Sequence, residues 1–207
     1  MAERTPLYSA LLREAEKKNL RMHMPGHKGK RPGYFAAADL FALDMTELEA
    51  TGNLYQGLSP ISDAERRMAE AAGAPQCFFL PGGSTQGIMA AMAAVCPPGS
   101  RVIVDRGCHL SVFFAMAHLD LRPVYLYRRH LEPWGITGPV TSDLVEKLLS
   151  KTPDASAVIL TSPTYYGVIS DLSSVAAATA KRRVPLIVDE AHGAHLPFLN
   201  GYRSAVG

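Results

Sequence analysis

From residue 76 onward the chain alternates short, continuous apolar runs with helical stretches, and that alternation leaves few folds open. The runs are Gln76–Leu80 (QCFFL), Arg101–Asp105 (RVIVD), Pro123–Tyr127 (PVYLY), Ser156–Thr161 (SAVILT) and Pro185–Asp189 (PLIVD). Helices are expected after Pro81–Gly87 to about Val95, from Gly107–Ser111 to about Leu119, and over Thr141–Leu149 and Ser173–Lys181. The runs do not alternate polar with apolar residues, so each reads as a strand buried on both faces. Strands separated by helices connect in parallel, with helices covering the sheet above and below. The expectation is a three-layer α/β/α domain around a mostly parallel sheet.

The first sixty residues read differently, which sets an expected division into an N-terminal helix-and-loop segment, 1–60, and the α/β domain, 61–207. Thr5 to about Leu20 has helical spacing, with Thr5 as cap and Pro6 at the first helical position. Arg21–Gly33 (RMHMPGHKGKRPG) is a polar loop broken by Gly and Pro, and Asp39–Tyr55 has no clear period. Ser62–Ala72 (SDAERRMAEAA) reads as an amphipathic helix with Ser62 as cap, Glu65 as its box partner and Gly73 as its end.

Composition excludes several classes of partner. A formal net charge of +2 gives no reason to expect nucleic acid or an anionic membrane. YLYRR at Tyr125–Arg129 mixes aromatic and basic residues, but in a strand rather than on a nucleic-acid-binding face. No apolar run approaches the ~18 residues of a membrane span, and the first residues lack the apolar region of a secretory signal. Cys77, Cys96 and Cys108 fit neither a disulfide framework nor a zinc ribbon, so they read as reduced thiols of a cytoplasmic protein.

In open α/β sheets, ligands bind beyond the carboxyl ends of the strands, and the unusual polar residues here all follow strands. Gly82-Gly83-Ser84-Thr85-Gln86-Gly87 is a glycine-rich turn entering a helix. Its backbone N–H groups and two hydroxyls suit a phosphate, although a turn with an ordinary cap has the same spelling. It is not a Walker loop, since no Gly-Lys-Ser/Thr follows. Asp105 stands where a dinucleotide-binding domain keeps its ribose-binding acid, but GGxxxG fits that fingerprint poorly. Asp189 ends an apolar strand, where a buried carboxylate needs a partner or else caps the next turn. His109 could stack on a ring or simply cap a helix. Asp189, His192 and His195 supply no complete zinc set, and Pro25-Gly26 separates His23 from His27.

Read together, these stretches resemble the major domain of the ornithine/lysine/arginine decarboxylases, pyridoxal 5'-phosphate (PLP) enzymes of the aspartate-aminotransferase fold. The matching segments are Thr5–Tyr8, His23–Gly29 (HMPGHKG), Asp44–Leu48, Phe78–Gly87 (FFLPGGSTQG), Cys108-His109, Thr161–Gly167 (TSPTYYG) and Val188–His195 (VDEAHGAH). The resemblance implies that Ser84 and Thr85 hold the PLP phosphate, His109 stacks on the ring and Asp189 pairs with the pyridine nitrogen. It further implies that Ala191 packs on the ring, His192 lines the pocket, and Ser162 or Thr164 approaches the phenolic oxygen. His23, His27 and Lys28 are implied near a substrate entrance or dimer interface. The implied substrate is a basic amino acid, in polyamine biosynthesis, and the implied assembly is a homodimer or a pairing with a chain carrying the C-terminal half.

One family feature has no counterpart within residues 1–207. The lysine that anchors the cofactor lies in a Ser-x-His-Lys stretch beyond the aspartate motif. None of Lys17, Lys18, Lys28, Lys30, Lys147, Lys151 or Lys181 has that context. The expectation is a truncated large domain, a fragment or half of a split enzyme that is inactive alone. The alternative is a non-catalytic remnant that modulates a homologue.

Overall fold

The structure, a computed structural model, describes residues 4–17, 19–23, 25–30, 40–55, 57–199 and 205. Lys18 of the expected first helix, Met24 and residues 31–33 of the expected loop, and Asp39 lie outside them. The chain forms two compact units, Met1–Phe79 and Leu80–Gly207. Among the described residues no helix is long and apolar enough to cross a membrane.

Among its described residues the first unit holds three helices: α1 (Pro6–Glu16), α2 (Leu40–Leu43) and α3 (Pro60–Ala72). Thr5 occupies the N-cap position of α1, yet its hydroxyl lies 3.3 Å from the Ser9 hydroxyl and caps no backbone N–H. The helix stops at Glu16 rather than near Leu20; Leu20 is exposed, so a further turn would bury nothing. The cap of α3 is also displaced from its expected place. Ser59, not Ser62, is the N-cap, and Pro60 takes the first helical position. The Ser59 hydroxyl accepts from the Ser62 N–H at 3.3 Å, while the Ser62 hydroxyl accepts from the Ser59 N–H at 2.9 Å. Glu65, expected to close that box, instead accepts from the Phe79 N–H at 2.8 Å. Gly73 ends the helix in the left-handed conformation, φ 72°.

The second unit runs α4 (Gly83–Val95), β1 (Arg101–Asp105), α5 (Leu110–His118), β2 (Arg122–Leu126), β3 (His130–Leu131), β4 (Ile136–Thr137), α6 (Ser142–Lys151), β5 (Ala155–Thr161), α7 (Leu172–Lys181) and β6 (Leu186–Asp189). Four strands form one parallel sheet in the order β2-β1-β5-β6. A small antiparallel pair, β3 with β4, was too short to leave a sequence pattern. The expected strand Gln76–Leu80 does not form. Four apolar residues after Gln76 carry no period that separates a strand from a loop, and Phe78 stays 64% exposed.

Alternate residues of each strand enter two cores, which explains the unbroken apolar runs. Val102, Val104, Ala157 and Ile159 pack with Ile88 and Met92 of α4 and Val112, Ala115 and Met116 of α5. Ile103, Leu126, Val158 and Leu160 pack with Val145 and Leu149 of α6 and Val175 and Ala178 of α7. The result is the three-layer α/β/α arrangement with a parallel sheet. At the edge, Leu186, Ile187 and Val188 of β6 are only half-buried, whereas β5 is buried almost throughout.

Candidate functional site

Strand parity decides which polar residues can meet. Thr161 is registered against Asp189, and each lies two residues past a side chain, Ile159 or Ile187, of the α4/α5 core. Both therefore leave the sheet on that face. Asp105 and Arg128 continue from Ile103 and Leu126 and lie on the opposite face, toward α6 and α7. Two buried aspartates thus end neighbouring regions of one sheet and point to opposite sides.

Asp105 has a cation of its own. Arg128 Nε donates to both its carboxylate oxygens, at 3.1 and 3.0 Å, and Nη2 donates to Oδ2 at 2.5 Å. Both side chains are almost wholly buried, at 1% and 2% exposed. The same guanidinium donates to the carbonyls of Thr161 (2.5 Å) and Gly138 (3.3 Å). Gly107 N–H and Thr161 N–H complete the carboxylate's shell at 3.1 and 3.4 Å. No oxygen is left for a ribose, so the dinucleotide-binding reading of Asp105 is corrected to a structural ion pair. Arg128 was not anticipated; the signal was an arginine just past a strand end, one strand over from a strand-terminal aspartate.

Asp189 is the contrasting case. It is 6% exposed, and among the described residues its carboxylate accepts one hydrogen bond, from the Ala191 N–H at 3.2 Å. No Lys, Arg or His nitrogen of those residues pairs with it. An isolated carboxylate is costly to bury, so this one is built to receive a positive or protonated group.

The N-termini of α4 and α5 lie at the same edge. A short link joins Val95 to β1, so α4 ends at the amino edge of the sheet and begins at the carboxyl edge. Helix α4 packs against α5 and β6. Ser84 and Thr85 sit exposed in its first turn, where the Gln86 side chain accepts from the Gly82 N–H at 2.8 Å and the Leu80 carbonyl from the Gly83 N–H at 3.0 Å, but the N-cap glycine has no side chain to cap the turn. Gly83 takes φ +66°, a left-handed conformation, with open space where a Cβ would stand. The Ser84 and Thr85 N–H groups and hydroxyls have no partner among the described residues and can meet an anion.

His109 is the N-cap of α5. Its Nδ1 accepts from the Ser111 N–H at 3.2 Å and lies 3.0 Å from the Ser111 hydroxyl. The capping role and an exposed ring are therefore combined in one residue. Ala191 and His192 are exposed beside Asp189, and the His192 ring meets Tyr165 edge-on at 5.8 Å. Below them Gly193 admits no side chain, since a Cβ would lie 2.5 Å from Pro163. Ser162 is buried, and its hydroxyl accepts from the Ser170 N–H at 3.0 Å. Thr164 caps its own turn, accepting from the Val168 N–H at 3.2 Å. Both hydroxyls thus hold the loop after β5. Among the described residues no three His, Cys, Asp or Glu side chains converge as a metal would require.

In the first unit, His27 Nε2 lies 3.1 Å from Asp44 Oδ2, while its Nδ1 accepts from the Gly29 N–H at 3.1 Å. Lys28 Nζ donates to the His23 carbonyl at 2.7 Å. These contacts hold Gly29 and Asp44 at the His27 ring and Lys28 at His23.

Cys108 feels the charge of both aspartates. Burial, then the charge of Asp105, with a smaller push from Asp189, holds its thiol up at about 11. At pH 8 that leaves roughly one thiol in a thousand ionised. Iodoacetamide is expected to alkylate Cys108 at least about 100-fold more slowly in the folded protein than in urea. Peptide mass spectrometry over a time course checks this, and equal rates would refute it.

Comparison with known proteins agrees with the geometry. The family profile of Orn/Lys/Arg decarboxylase, major domain, matches residues 5–207. An arginine decarboxylase of Bacillus subtilis (strain 168) is 33% identical over 199 residues, covering 94% of this chain and 41% of that protein. The lysine decarboxylase LdcA of Pseudomonas aeruginosa is 24% identical over 225 residues, 98% of this chain and 30% of its own length. In structure, lysine decarboxylase A from Pseudomonas aeruginosa matches with a TM-score of 0.83 at 24% identity, over 98% of this chain and 30% of that one. The chain spans about two-fifths of the length of the relatives that it matches at 32–34% identity, and 30% of LdcA. It belongs to the Orn/Lys/Arg decarboxylase family and corresponds to part of the major domain.

Proposed function

We propose that this chain is the front portion of a PLP-dependent decarboxylase acting on a basic amino acid. The observation that carries the proposal is Asp189, a buried carboxylate with no cation of its own among the described residues. A protonated ring nitrogen supplies the missing charge. The uncapped first turn of α4, with Ser84 and Thr85, suits the phosphate. Those two features fit PLP and leave little for a dinucleotide, whose acid would be the already paired Asp105.

When bound, PLP supplies the electron sink for the pair left behind as carbon dioxide departs. The chain's own residues bind and orient. The α4 N–H groups, Ser84 and Thr85 hold the phosphate, and Asp189 keeps a proton on the ring nitrogen. His109, fixed by Ser111, offers a ring face, and Ala191 and His192 line the same side. Ser162 and Thr164 act indirectly, by shaping the loop beyond β5. A basic substrate is supported by relatives named arginine and lysine decarboxylases. His23, His27 and Lys28 are proposed at a substrate entrance or dimer interface, as in the family.

The covalent anchor comes from elsewhere. In the second unit Lys147, Lys151 and Lys181 are exposed on α6 and α7, the face opposite Asp189. The anchoring lysine is therefore proposed to lie outside residues 1–207, in more of the same protein or in a partner carrying the C-terminal half. The same placement favours one second reading, a non-catalytic remnant that pairs with a homologue.

Titrating the purified protein with PLP tests the first reading. Expected is saturable binding that inorganic phosphate competes away, with no lysine of residues 1–207 labelled by borohydride reduction. Absence of saturable binding would sink the cofactor proposal; a reduced adduct on one of those lysines would overturn the missing-anchor claim. Co-purification with a full-length decarboxylase, without any gain in its activity per site, would favour the remnant.

A further inference from the structure

Thr161 ends β5, registered against Asp189 and on the same face of the sheet. It is 7% exposed, and its hydroxyl oxygen is buried with no hydrogen-bond partner among the described residues. Its backbone is fully engaged, the N–H with Asp105 and the carbonyl with Arg128. Only the side-chain hydroxyl is idle. Buried hydroxyls in native proteins are nearly always satisfied, so an orphan calls for a physical reason. Valine has the same shape and would remove the cost of burying an unpaired hydroxyl.

The neighbouring carboxylate supplies that reason. Asp189 accepts one backbone hydrogen bond among the described residues and has capacity for several more. We propose that Thr161 is a positioning residue: its hydroxyl donates to the Asp189 carboxylate when a protonated ring nitrogen draws that carboxylate into place. The Ala191 N–H and the Thr161 hydroxyl then fix the carboxylate from two sides, and its remaining lone pairs face the ring. Thr161 does not touch the cofactor; it acts through Asp189. The inference rests on the PLP reading above and adds the residue that aims its central acid.

The test compares PLP with the analogue in which CH replaces the ring nitrogen, both titrated against wild type, Thr161→Val, Thr161→Ser and Thr161→Ala. Expected is a loss of about tenfold in PLP affinity for the Val and Ala variants. Affinity for the nitrogen-free analogue should be unchanged, and the Ser variant should bind PLP as wild type does. Without cofactor, the Val variant should melt no lower than wild type. Equal losses for both ligands, or no loss for PLP, would overturn the positioning role while leaving the cofactor reading intact. If wild type itself does not prefer PLP over the analogue, the role of Asp189 fails and the inference falls with it. Should the Val variant not fold, the Ala and Ser pair decides the question on the same readings.

Discussion

Replacing Arg128 with methionine is expected to lower the folding stability by about 3–5 kcal/mol. The substitution leaves the Asp105 carboxyl, 1% exposed, without its cation. It also removes the donor that ties the Thr161 and Gly138 carbonyls to the end of β1. Asp105→Asn is expected to cost less, because an amide oxygen still accepts from Gly107 and Thr161, though it strands part of the guanidinium. The double change Asp105→Leu with Arg128→Met should recover much of the loss, since a packed apolar pair spares the desolvation of two charges. Urea unfolding of the four proteins measures this. A loss below about 1 kcal/mol for Arg128→Met would mean that water reaches the pair, contrary to its burial.

The physics behind that pair also shows why parts of this molecule were legible and others not. Strands β1, β5 and β6 were found to within a residue because continuous apolar runs between helices have few other uses. The polar edge was legible in part: His109 follows β1 and Asp189 ends β6, as the rule of carboxyl ends expects, whereas Ser84 and Thr85 were placed there after a strand that does not form and reach that edge through the direction of α4. Side-chain direction was not legible. Thr161 and Ser162 are adjacent and both hydroxylated, yet one faces Asp189's side of the sheet and the other bonds Ser170 within its own loop. Only the register of β5 against β6 decides between them, and register is a tertiary fact. The expected Ser62 cap and the expected strand at Gln76–Leu80 failed for a similar reason. Local spelling allowed two answers, and packing or its absence chose.

Asp189→Asn is expected to behave in the opposite way to any change at Arg128. It should weaken PLP binding by about 10- to 100-fold, the worth of a hydrogen bond between charged partners. It should leave stability without cofactor unchanged or raise it, because an amide is cheaper to bury than an unpaired carboxylate. Asparagine keeps the size and can still accept from the Ala191 N–H. Melting curves with and without PLP read both effects: the variant should start level with wild type or higher and gain less on adding cofactor. A fall in stability without cofactor would mean that Asp189 is paired after all, as Asp105 is. Two buried aspartates in one sheet thus separate by experiment, one holding the fold through its own arginine and the other held ready for a cation that the described residues do not supply.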